Sequence, residues 1–82
     1  MNELARDPRQ IGNVIRRARK KQALSQKELG HKTGLRQETI SLIESGHSGA
    51  KIETLLTVLA ALDLEFQIVP RSNGTQHGES YF

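Results

Sequence analysis

Residues 37–45 contain four polar residues that share one side of a helix if Ile40 and Ile43 face inward: Gln37, Glu38, Ser41 and Ser45. Such a face is suited to hydrogen bonding with base edges in the major groove of DNA. Glutamine can bond to adenine through both of its amide atoms, glutamate can accept from cytosine, and serine can do either. A solvated helix face can also be polar, so the surrounding pattern has to decide between the two interpretations.

The sequence offers no other group of residues suited to catalysis or metal binding. There is no cysteine, and the three histidines, His31, His47 and His77, have no carboxylate at metal-ligand spacing. No nucleophile elbow, phosphate-binding loop or carboxylate pair is present. We therefore expect no enzyme, no metal, no cofactor and no small-molecule ligand.

Four predicted helices would position the polar face. The first starts at the capping pair Asp7-Pro8 and carries an apolar stripe to about residue 22. The second opens with the capping box Ser25-Gln26-Lys27-Glu28 and ends at Gly34. The third covers about residues 36–45, and a fourth, rich in leucine, covers about residues 52–62.

The spacing of Leu29, Ile40 and Ile43 predicts that helices 2 and 3 cross steeply over helix 1. Gly30 falls at this crossing. Glycine inside a helix costs about 1 kcal/mol relative to alanine, so its presence indicates close packing of the two helices.

The segment after the fourth helix changes to strand spacing. Leu64, Phe66 and Ile68 alternate with other residues as far as Pro70. A single strand cannot satisfy its own backbone donors and acceptors. It either pairs with a second copy of the chain or is an extended tail, and we favour pairing across a homodimer axis. Residues 71–82 are predicted to be a flexible tail that ends in Tyr81-Phe82, an aromatic pair that could instead dock on a partner.

The 82 residues allow one small domain, which makes a partner subunit a reasonable expectation. No apolar run approaches the length of a membrane span, and the beginning of the sequence lacks a signal peptide, so we expect a cytoplasmic protein. Residues 1–51 carry a net charge of +6 and residues 52–82 carry −3. The basic part favours a polyanionic partner, although a solvated surface would explain it as well.

The helix-turn-helix segment resembles the Cro/C1-type (XRE) repressors. The similarity covers roughly residues 9–63 and is carried by Gln26, Glu28, Leu29, Gly34, Thr39-Ile40-Ser41, Ile43, Glu44 and Gly46. It implies an all-α, five-element bundle of the lambda-repressor type with one C-terminal β-strand pairing across a homodimer. The family usually has alanine at the position of Gly30, which implies a slightly looser helix 2.

The resemblance also implies roles for individual residues. Base contacts fall to Arg36, Gln37, Glu38, Ser41 and Leu42, although Leu42 could lie at the rim of the core, which we favour slightly. Phosphate contacts fall to Gln26 and to the loop residues Ser45, His47, Ser48 and Lys51, for which a plain surface position is as good an explanation. Arg19 and Glu44 match a partly buried ion pair that joins helix 1 to helix 3.

The run from Ile52 to Arg71 resembles the C-terminal part of HipB-like antitoxins. This implies a domain over residues 1–63, a dimerisation strand over 64–70 with Leu64, Phe66 and Ile68 at the interface, and a tail over 71–82. It further implies a palindromic double-stranded DNA operator and a HipA-like Ser/Thr kinase toxin as partners. A repressor without a toxin, and a protein-interaction module that does not bind DNA, are the alternatives.

Overall fold

A computed structural model describes residues 3–47 and 49–71, and this part of the chain contains four helices. In chain order they are α1 (Pro8–Lys21), α2 (Gln26–Thr33), α3 (Gln37–Glu44) and α4 (Ile52–Ala61). The four predicted helices and the all-α class are therefore confirmed. Ser48 and the tail residues 72–82, with the proposed docking pair Tyr81-Phe82, lie outside the described residues.

Hydrogen bonds fix where α1 and α2 begin. Asp7 accepts from the backbone N–H of Gln10 at 2.8 Å, with Pro8 at the first helical position. In the capping box of α2, the Ser25 hydroxyl accepts from the N–H of Glu28 at 2.9 Å, and Glu28 accepts from the N–H of Ser25 at 2.7 Å. The bond that the Ser25 backbone N–H donates to the Glu28 carboxylate is the largest cause of a lowered pKa of that carboxyl, and the nearby Ser25 hydroxyl adds to it.

The core is formed by seven buried apolar residues that come from all four helices and from the residue after α4: Ile15, Leu29, Ile40, Ile43, Val58, Leu59 and Leu62. Helix α3 packs against both α2 and α1, and α4 packs against α2. Because the buried side of α3 packs against two helices, the outward face of α3 has a fixed orientation. Among the described residues, no helix has the length and apolar character needed to cross a membrane.

Two glycines allow helix backbones to approach closely. A Cβ atom on Gly30 would lie 2.7 Å from the carbonyl oxygen of Leu35, so the α2–α3 turn packs directly on α2. The close packing inferred from Gly30 is therefore present, whereas a slightly looser helix 2 stays a prediction. Gly12 is more constrained, because its Cβ would lie 2.4 Å and 2.6 Å from the carbonyl oxygens of Ile43 and Glu44. Sequence reasoning missed Gly12, which brings α1 against the end of α3.

Replacing Gly12 with alanine is expected to destabilise the fold by about 2 kcal/mol, although alanine favours helix formation, because backbone atoms of α3 would have to move. Urea unfolding at fixed protein concentration measures this loss. Asn13→Ala is the control, since Asn13 is exposed on the same helix and should change stability by less than about 0.5 kcal/mol. Equal stability of the two variants would contradict the close contact.

The chain reverses direction after α4 through a Schellman motif. Asp63 has a φ of 63°, its N–H bonds to the carbonyl of Ala60 at 3.0 Å, and the N–H of Leu64 bonds to the carbonyl of Leu59 at 2.8 Å. Leu64 packs against the core of its own chain. The prediction that Leu64 faces a partner together with Phe66 and Ile68 stays a prediction, but part of this side chain is already covered within one copy.

Residues 64–70 form no strand within the single chain. Phe66 is 45% exposed and Ile68 is 92% exposed, so two large apolar side chains of this segment are open to solvent in a single copy. A strand requires a neighbouring strand to satisfy its backbone groups, and residues 3–47 and 49–71 contain none. The fifth element, a strand that pairs two copies of the chain, therefore remains a prediction.

Candidate nucleic-acid interface

Arg19 and Glu44 form a buried ion pair between α1 and α3. Nε of Arg19 lies 2.7 Å from Oε2 of Glu44, and Nη2 lies 3.0 Å from Oε1, which makes the pair bidentate. The side chains are only 9% and 4% exposed. The hydrogen bonds that Arg19 donates to Glu44 raise the pKa of Arg19 above its ordinary value. The third guanidinium nitrogen donates to the carbonyl of Leu24 at 2.8 Å, so the pair also fixes the entry to α2.

Gln26 belongs to the same network, a role that the sequence did not indicate. Its Nε2 donates to Oε1 of Glu44 at 3.2 Å, and the side chain is half-buried. An amide nitrogen carries two donors, so one N–H of Gln26 remains for a phosphate oxygen. Glu44 therefore sets the position of the first residue of α2 relative to the last turn of α3.

The predicted base-reading residues lie together on the outer side of α3. Arg36 caps the helix without a side-chain hydrogen bond, and Gln37, Glu38 and Ser41 are exposed. Leu42 is 47% exposed on the outer side of α3, and the preference for a position at the rim of the core stays a prediction. Its apolar side chain lies among the polar and charged side chains of the outer face.

The loop after α3 carries the residues predicted to contact phosphates. Gly46 adopts a φ of 90°, and the N–H of His47 bonds to the carbonyl of Leu42 at 3.0 Å, which ends the helix. His47 and Lys51 are exposed, whereas the hydroxyl of Ser45 donates to the carbonyl of Leu42 at 3.0 Å. Ser48 is outside the described residues.

The described residues contain no group of three or more acidic or histidine side chains placed to hold a metal ion. His31 and His47 are exposed on separate elements, and His77 lies in the part that is not described. The residues exposed on this surface supply hydrogen bonds, apolar contact and charges of both signs.

Comparison with known proteins agrees with this geometry. The helix-turn-helix family model HTH_3 matches residues 15–69. An HTH-type transcriptional regulator of Sinorhizobium fredii, y4dL, is 41% identical over 61 residues, which cover 74% of this chain and 31% of that protein. The chain therefore spans about a third of the length of that relative. Antitoxin HipB of Escherichia coli is 28% identical over 68 residues, which cover 83% of this chain and 77% of HipB.

Among solved structures, the HipA-HipB-O2-O3 complex contains a chain that superposes with a TM-score of 0.79 at 25% identity. The match covers 87% of this chain and all of the other. The match of the family model to two thirds of the sequence and the shared fold confirm the resemblance inferred from the motif. The chain belongs to the helix-turn-helix family HTH_3, of XRE type, and is similar to antitoxin HipB at low identity.

Proposed function

We propose that the chain is a sequence-specific repressor that binds a palindromic operator as a homodimer and acts as the antitoxin of a HipBA-like toxin–antitoxin pair. In this role it represses its own operon and binds a HipA-like Ser/Thr kinase. The observation that carries the DNA-binding part is the outer face of α3, where Gln37, Glu38 and Ser41 are exposed beside a buried Arg19–Glu44 pair.

Each group on that face has a matching base edge. Gln37 can bond to adenine, Glu38 can accept from cytosine, and Arg36 can donate two bonds to guanine. Ser41 suits either donors or acceptors. The exposure of Leu42 favours contact with a thymine methyl group.

Phosphate contacts would hold α3, the recognition helix, in register with the bases of the duplex. Gln26 lies at the start of α2, where free backbone N–H groups and the helix dipole favour an anion. His47 and Lys51 are exposed in the loop on the other side of α3. We assign supporting contacts to Ser45 and Ser48 from the family resemblance.

The homodimer would form through residues 64–70, with Phe66 and Ile68 at the interface and residues 1–63 as the DNA-binding domain. Both side chains are exposed in the single chain, and pairing of two copies would satisfy the backbone groups of the segment. Two recognition helices would then read two half-sites about one helical turn apart. The tail, residues 71–82, would be left for contact with a partner.

The antitoxin role is supported by the extent of the similarity to HipB. The matched region covers 83% of this chain, and so extends beyond the helix-turn-helix itself. Copurification of the chain with the product of the adjacent gene tests this role, and a kinase-like partner is the expected result. The regulator from Sinorhizobium favours a second candidate, a repressor without a toxin, for which no such partner would copurify.

Replacing Gln37 with alanine is expected to weaken binding to a duplex selected from random sequence by about 1–3 kcal/mol, because two bonds to a base are lost. Binding to a duplex of unrelated sequence should change little. Titration of both duplexes by fluorescence anisotropy measures the difference. Equal losses on the two duplexes would show that Gln37 does not read bases. A wild type whose affinity does not fall with salt would remove the DNA-binding function altogether.

A further inference from the structure

Three basic residues on α1 form a surface that the contacts proposed above do not use. Arg9, Arg16 and Lys20 follow one another at spacings of seven and four residues, which places them along one side of the helix. We name these three residues the basic stripe. All are exposed, and none of their side chains makes an ion pair or hydrogen bond within residues 3–47 and 49–71. Arg17, on another side of α1, is paired with Glu3.

The basic stripe runs beside the contact between α1 and α3. Gly12 and Arg19 make that contact, and each lies three residues after a member of the stripe. Residues three apart are neighbours on a helix surface. The stripe is therefore on the flank of α1 that adjoins the recognition helix.

Each end of the basic stripe meets a segment to which a phosphate contact is assigned. At one end, a Cβ on Gly46 would lie 2.9 Å from the Cα of Arg9, so the backbone of this arginine lies beside the loop after α3. At the other end, Arg19 precedes Lys20 and bonds to the carbonyl of Leu24, just before α2. The stripe thus begins beside the loop after α3 and ends next to the residue that bonds to the segment before α2.

The length and chemistry of the stripe fit a nucleic-acid backbone. A helix rises about 1.5 Å per residue, so Arg9 and Lys20 are separated by roughly 16 Å along the axis. One strand of a duplex carries a phosphate about every 3.4 Å of axis, so a stripe parallel to that axis would span roughly four or five of them. Guanidinium groups form paired hydrogen bonds with phosphate oxygens, and a lysine supplies a point charge.

We propose that the basic stripe binds the phosphate backbone of operator DNA beyond the bases that α3 reads, an inference that rests on the proposed DNA-binding function. The stripe makes α1 a third phosphate-binding element, between α2 and the loop after α3. Its contribution is independent of base sequence, so it adds affinity to every site and anchors the recognition helix from its C-terminal side.

The test compares two double variants that remove the same charges from α1. Arg16→Gln/Lys20→Gln removes two members of the stripe, and Arg17→Gln/Lys21→Gln removes one arginine and one lysine from exposed positions away from it. Because both variants lose one arginine and one lysine, long-range steering by net charge falls equally. Binding to the selected duplex is measured between about 50 and 200 mM salt, the range over which phosphate contacts have a strong effect.

Each phosphate contact contributes about −0.9 to the slope of log K against log salt. The stripe variant removes two contacts from each copy in a dimer, so we expect its slope to become shallower by about 3 to 4. The slope of the control variant should change by less than about 1. Circular dichroism and thermal unfolding establish that both variants keep the fold.

Equal changes in slope for the two variants would overturn the proposal, because only net charge would then matter. Wild-type affinity and slope for the stripe variant would also overturn it. If the stripe variant bound DNA like the wild type but no longer copurified with a protein partner, the stripe would instead bind an acidic surface of that partner. Failure of the wild type to bind DNA in a salt-dependent way would instead overturn the proposed function.

Discussion

Replacing either Arg19 or Glu44 alone should destabilise the fold more than replacing both. Each single replacement leaves one buried charge without its partner, which costs about 3–5 kcal/mol. A small domain has a total stability of roughly 5–15 kcal/mol, so a single variant would be close to unfolding. When both side chains become apolar, no buried charge remains, and the net effect of such a change is near neutral in many proteins.

The experiment is a double-mutant cycle with Arg19→Met, Glu44→Leu and the combined variant, measured by urea unfolding at one protein concentration. These replacements keep the buried volume similar. The prediction requires the double variant to be more stable than both single variants. Single losses that add up in the double variant would show that the two residues act independently.

An exposed ion pair provides the matched control. Arg17 and Glu3 are paired on the surface, where each side chain is about half exposed. Exposed pairs contribute about 0–1 kcal/mol, because water already solvates both charges. Glu3→Ala should therefore have a small effect beside that of Glu44→Leu. Comparable losses at the two pairs would mean that burial does not determine the cost.

The helices could be predicted from the sequence because their signals are local. The capping box Ser25-x-x-Glu28 and the glycine at position 34 act within a few residues, and both form as the pattern indicates. The inward spacing of Ile40 and Ile43 likewise placed Gln37 and Ser41 on the outer face of α3. Periodicity alone is sufficient to predict which of these residues face outward.

The sequence is less informative about residues whose environment is set by distant parts of the chain. Nothing near Gly12 in the sequence shows that the backbone of α3 lies against it. Alternation grouped Leu64 with Phe66, but the reversal at Asp63 turns Leu64 into the core of its own chain. The exposure of Leu42 depends on how far α3 is rotated against its neighbours, and spacing gives that rotation only approximately.

Replacing Phe66 with aspartate should separate the proposed dimer and abolish tight operator binding. Phe66 is 45% exposed in the single chain, so the change leaves the core intact, whereas Leu64→Asp would place a charge against the core. A charge at the pairing surface would have to be buried when two copies meet, which costs far more than the apolar contact contributes.

Loss of the dimer removes the advantage of two linked recognition helices. Joining two binding units increases overall affinity by about 10²–10⁴, so the Phe66→Asp variant should bind a palindromic duplex weaker by a factor in this range. Sedimentation equilibrium gives the assembly state, and anisotropy gives the affinity. Gln67→Asp is the control, since it introduces the same charge on the alternate side of the segment. A monomeric wild type, or a Phe66→Asp variant that remains dimeric, would show that residues 64–70 do not hold the two copies together.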